Sequence, residues 1–139
     1  MRVVDFLCSR KEVNPELIAV AEGSQGGGLS LSTTALDSRI SLCAPHISFL
    51  TNYDLYSKIS HCPEMDKWIE AKESRTRQST LKTMSYFDTM NMAAWIEYPV
   101  FMGVGLQDAI CPPVTCFAVY NRVKQKKEYR LSPRQTSIR

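Results

Sequence analysis

Leu17-Ile18-Ala19-Val20-Ala21-Glu22-Gly23-Ser24-Gln25-Gly26-Gly27-Gly28 is the stretch that decides the fold of this chain. The unbroken apolar run at 17–21 suits a strand buried in a parallel sheet. The glycines behind it open a helix that continues through Leu29, Leu31 and Ala35. A serine on so sharp a strand-to-helix turn needs small neighbours, because its backbone is strained and the helix packs close to the strand. Its hydroxyl then stands clear of the sheet, and the N–H of the next residue, Gln25, faces any developing oxyanion. The full pattern is G-x-S-x-G. Gly26 holds the last position, whereas Glu22 stands where the first glycine belongs. The same residues also read as a glycine-rich loop at a helix N-terminus, able to cradle a phosphate. Against that, G-x-G-x-x-G does not fit and no P-loop lysine follows.

Working outward, Val3, Val4, Phe6 and Leu7 form an apolar stripe that predicts a helix over 1–10, with no visible cap before Met1. Asn14-Pro15 is a turn. Ile40–Ala44 predicts a second short buried strand ending at Pro45. Residues 52–97 are helical in pattern, interrupted at Cys62-Pro63, and rich in Tyr, Met, Trp and charge. A third apolar strand runs over 99–105, a helix over 114–123 and a last short strand over 128–131. This alternation predicts an α/β fold with a mostly parallel sheet and a helical insert at 52–97. The chain opens in what reads as a crossover helix, and four parallel strands leave an exposed edge and a thinly covered face. It is expected to be the second part of a larger domain, with a divergent tail at 134–139.

A chain of 139 residues with 44% hydrophobic and 22% charged residues sits in the ordinary globular range. No apolar run is long enough to span a bilayer, and the N-terminus makes a poor signal peptide. The net charge of +3 is mild. Basic residues gather at 122–130 and 134–139, read as a solvated face and a loose tail and not as a nucleic-acid surface. Cys8, Cys43, Cys62, Cys111 and Cys116 are odd in number and form no C-x-x-C pair, so reduced thiols in a cytoplasmic protein are the economical reading. His46 and His61 are the only imidazoles and neither sits in a ligand pattern, so no metal is expected.

Two further positions bear on chemistry. Asp108, in Gly105-Leu106-Gln107-Asp108, follows the 99–105 strand, where the acid of a Ser–acid–His triad stands in chain order. Most loop aspartates are turn or cap residues, and that reading stays open beside the catalytic one. The histidine that should come after the last strand is absent. Both imidazoles precede Asp108: His46 reads as a site-wall or core residue, and His61 as a surface residue of the insert. A serine without its base keeps an unactivated hydroxyl.

With these residues in hand, the chain resembles the acetyl xylan esterase / cephalosporin C deacetylase family, carbohydrate esterase family seven of the α/β-hydrolases, over roughly residues 1–133. The resemblance rests on VDFLCSRKEVNPELIAVAEGSQGGGLSLSTTALDSRI and on TMSYFDTMNMAAWIEYPVFMGVGLQDAICPPVTCFAVYNRV, with its SYFD, VGL-x-D and CPP-x-T-x-F-A-x-YN elements. It implies Ser24 as nucleophile, the Gln25 amide as oxyanion donor and Asp108 as triad acid. It implies a partial α/β-hydrolase fold, the C-terminal part only, without the first strands and the tyrosine-bearing loop that completes the oxyanion hole. Substrates would be acetylated xylo-oligosaccharides and small acetyl esters of the cephalosporin C type, hydrolysed through an acyl-enzyme with no cofactor. The family forms homo-hexamers, and the insert would belong to their cap and interface. Two departures matter. A carboxylate at Glu22 is expected to crowd the elbow, and Ser137 stands where the family's histidine belongs, counted from Pro133. They imply a second reading, a truncated and catalytically inactive remnant.

Overall fold

The computed structural model describes residues 1–133. Four strands form one all-parallel sheet in chain order: β1 (Ile18–Gly23), β2 (Ile40–His46), β3 (Val100–Gly105) and β4 (Lys127–Ser132). Helix α1 (Arg2–Cys8) precedes the sheet, and α2 (Ser24–Leu36) joins β1 to β2. Between β2 and β3 lie α3 (Tyr53–Ile59), α4 (Pro63–Glu70), α5 (Arg77–Met84), α6 (Thr89–Met92) and a 3₁₀ turn at Ala93–Trp95. Helix α7 (Pro113–Arg122) connects β3 to β4. The predicted order of elements stands, with Pro63 opening α4 at its first turn, where a missing N–H costs nothing.

Proline behaves differently in β2. The strand was expected to stop at Pro45, yet it continues to His46, and Pro45 pairs with Glu22 of β1. The reason lies in which neighbour each amide faces. Cys43 and Ile47 send their N–H groups across to β3, onto the carbonyls of Pro99 and Gly103. Pro45 occupies the donor position between them and has no hydrogen to give. The β2–β3 ladder therefore keeps only the pairs Cys43–Val100 and His46–Gly103, while the β1 side of the strand is unaffected.

The two faces of the sheet differ. Val20, Cys43, Val100, Met102 and Val104 pack with Leu31 of α2, with Ala93 and Ile96, and with Cys116 and Val119 of α7. A smaller cluster joins Val4 of α1 to Ile18 and Ile40. The alternate residues Ala19, Ala21, Leu42 and Phe101 are exposed, Phe101 by 44%. A parallel sheet is ordinarily covered on both faces, and among the described residues this second face is bare.

A buried carboxylate closes the base of the insert. Asp88 is buried, and its two oxygens accept from the amides of Asn52, Tyr53 and Met90 at 2.8, 2.8 and 2.9 Å. One side chain thus holds the beginning and the end of the excursion together. A groove of about 700 Å³ opens within the insert, walled by Phe49, Tyr53, Tyr56, Met65, Trp68 and Phe87.

Candidate active site

Ser24 is the first helical residue after β1, and its φ is +52°, in the left-handed region. For a non-glycine residue that conformation costs free energy and persists only where the surroundings enforce it. Three glycines make the enforcement possible. A Cβ on Gly28 would lie 2.2 Å from the carbonyl oxygen of Phe49, and one on Gly27 would lie 2.9 Å from that of His46. Helix α2 therefore rides directly on the backbone of the 46–49 loop. The loop returns the contact: the Phe49 amide donates to the Ser24 carbonyl at 2.9 Å.

Gly26 serves Glu22. A Cβ there would fall 1.9 Å from Cγ of Glu22, so the glutamate side chain lies in the space that Gly26 leaves. Its Oε1 accepts from the Gly23 amide at 2.9 Å. The expected crowding of the elbow is thus relieved within the turn itself, and the carboxylate is spent on the amide just before the serine.

At the start of α2, the Gln25 N–H belongs to the first helical turn, whose amides have no intrahelical acceptor. It stands beside Ser24 with the positive end of the helix dipole behind it. Such an amide is suited to stabilise negative charge developing on an acyl oxygen.

The acid enters from the end of β3. Asp108 is 3% exposed, and its Oδ1 accepts from the amides of Ile110 and Cys111, both at 2.8 Å. The turn and the candidate acid are therefore one feature, so the two readings of this aspartate are compatible. Three residues on, the same turn delivers Cys111, whose Sγ lies 3.9 Å from Ser24 Oγ. That contact, across 87 residues of sequence, brings the Asp108 loop against the elbow. Sequence reasoning did not single out Cys111; the available signal was its place at the end of an aspartate turn, immediately before Pro112-Pro113.

The histidines go elsewhere. His46 is at the same end of the sheet, but its ring packs on Gly103, where a Cβ would fall 1.8 Å from Nδ1. Its Nε2 is buried without a hydrogen-bond partner among the described residues. The ring lines a cavity of about 490 Å³ with Phe101, Arg130, Ser132 and Pro133. His61 is on the surface as expected, 3.6 Å from Asp66. No hydrogen bond joins either imidazole to Ser24. Ser137 lies outside the described residues. None of the five cysteines is in a disulfide; burial pushes the thiol of Cys43 up to about 11 and that of Cys116 up to about 12, so both stay protonated near neutrality. No group of three or more metal-ligating side chains is found among the described residues, and no helix there is long and apolar enough to cross a membrane.

Comparison with known proteins agrees with this geometry. The family model described as acetyl xylan esterase (AXE1) matches residues 1–137. An acetyl xylan esterase from Paenibacillus sp. R4 superposes with a TM-score of 0.89 and 43% identity, over 97% of this chain and 44% of that one. Acetyl xylan esterase 1 from Thermoanaerobacterium sp. gives 0.84 and 30% identity, again over 97% and 44%. An acetyl esterase of Xylanibacter ruminicola is 33% identical over 136 residues, 96% of this chain and 30% of that protein. The chain spans less than half the length of these relatives.

Proposed function

Because the chain belongs to the acetyl xylan esterase family and carries a partial α/β-hydrolase fold, we propose that it supplies the nucleophile and acid of an acetyl-ester hydrolase. Ser24 Oγ attacks the acetyl carbonyl as a general base takes its proton, and the Gln25 amide receives the oxyanion of the tetrahedral adduct; collapse of that adduct expels the alcohol with the proton and leaves an acetyl-enzyme that water hydrolyses to acetate. Asp108 is the acid that orients a general base. The substrates are acetylated xylo-oligosaccharides and small acetyl esters of the cephalosporin C type, and the setting is cytoplasmic. The observation that carries this reading is the left-handed Ser24 at the mouth of α2, packed against the turn of Asp108.

A second reading has its own support. His46 is committed to Gly103 and His61 to the surface, which favours a chain that keeps the elbow and binds without turning over. An aryl acetate assay of the purified chain beside its Ser24→Ala variant decides between them. Hydrolysis abolished by Ser24→Ala is the expected result. Equal rates for the two chains would reject the esterase reading and leave the inactive remnant.

A further inference from the structure

Cys111 is buried, 1% exposed, and occupies a position that no triad role requires. Its backbone and side chain face two different groups. The amide donates to Asp108 Oδ1 at 2.8 Å, and Sγ rests 3.9 Å from Ser24 Oγ. A thiol is a weak donor and a weak acceptor, and it packs as a small apolar group. It can therefore seat a serine hydroxyl without drawing it into a strong competing hydrogen bond. Ser24 needs such a seat, since its backbone at φ +52° points the side chain off the strand into the space before α7. The covalent link from Sγ through Cα to the amide also fixes the distance between nucleophile and acid loop.

We infer that Cys111 is the positioning residue of this site: its thiol sets the rotamer of Ser24 while its amide anchors Asp108. The inference rests on reading Ser24 as the nucleophile, and its test separates the two claims. The first arm needs no activity. In a Ser24→Cys chain, mild oxidation should pair the introduced thiol with Cys111, removing two thiols from titration in denaturant. Disulfide geometry requires the sulfurs to close to about 2.05 Å, a small side-chain motion from the observed 3.9 Å. The same chain carrying Cys111→Ala should keep its thiols. Failure to pair overturns the inference.

The second arm follows labelling of Ser24 by a fluorophosphonate, together with kcat and KM for an aryl acetate. Cys111→Ser keeps about the same size but sets a strong hydrogen-bonding hydroxyl against Ser24 Oγ, so labelling and kcat should fall about ten- to a hundredfold with KM little changed. Cys111→Val, which keeps an apolar seat, should lose less. Parental labelling in Cys111→Ser, or losses that simply follow the thermal stability of the two variants, overturns the positioning role. If the parent chain fails to label while the thiols still pair, the esterase reading falls, and the seating of the side chain shown by that pairing stands.

Discussion

Placing an alanine at Gly26 tests the account of Glu22 most directly. The new Cβ would meet Glu22 Cγ at 1.9 Å and Cβ at 2.9 Å, well inside the 3.5–4.0 Å of a carbon–carbon contact. Glu22 is exposed and can swing into water, which removes the first clash but gives up its bond to the Gly23 amide. That bond is charge-assisted but solvent-accessible, so its loss costs about 1 kcal/mol. The second clash remains, because Cβ cannot rotate away, and a shift of the turn costs roughly 1–2 kcal/mol. Alanine in place of a helical glycine returns about 1 kcal/mol. Gly26→Ala should therefore destabilise the chain by about 1–2 kcal/mol. In a Glu22→Gly background both penalties disappear and the same substitution should stabilise by about 1 kcal/mol. Urea unfolding of the four chains gives a coupling of about 2–3 kcal/mol. Additivity within about 0.5 kcal/mol would refute the packing of Glu22 onto Gly26.

Two further outcomes follow from the electrostatics of the fold. Asp88→Ala leaves three part-buried amides without their acceptor and should cost about 2–3 kcal/mol in urea unfolding, with early proteolysis inside 53–87; Asp88→Asn, which keeps one carbonyl oxygen, should cost less. Hydrogen bonds from the Arg39 guanidinium, at 2.8 and 2.6 Å, hold the Asp37 carboxyl well below the usual carboxylate range. A depressed folded pKa stabilises the fold above the unfolded value of about 3.9 and is lost as pH falls toward the folded one. Thermal stability should therefore decline below about pH 4, and Asp37→Asn should flatten that decline; an unchanged acid limb would reject the pairing.

The elements whose signals are local were legible without coordinates. The apolar run and its glycines located β1 and α2, and the position of Asp108 just after β3 was legible too. What escaped depends on three-dimensional packing, most of it between distant residues. Pro45 reads as a strand breaker until its amide position is seen to face the sparsely paired β3 side. Glu22 reads as an obstruction because its partner vacancy at Gly26 exists only once α2 folds back. Cys111 opens the CPP element, but nothing in that element tells that its thiol meets Ser24, 87 positions earlier in the chain. Asp88 resembles any helix cap, and nothing local tells that it also receives Asn52 and Tyr53.

That last carboxylate has a consequence for how such a protein can change. Because Asn52 and Asp88 touch, the stretch between them begins and ends at nearly one point. A loop whose ends are already adjacent can lengthen or shorten at a small entropic cost, since closure scales only with the logarithm of length. The insert is then an exchangeable module: helices may be swapped, trimmed or grafted between Tyr53 and Phe87 while β2 and β3 keep their register. Provided the residue at 88 remains an aspartate, evolution or a designer can rebuild those helices beside the same Ser24 and Asp108.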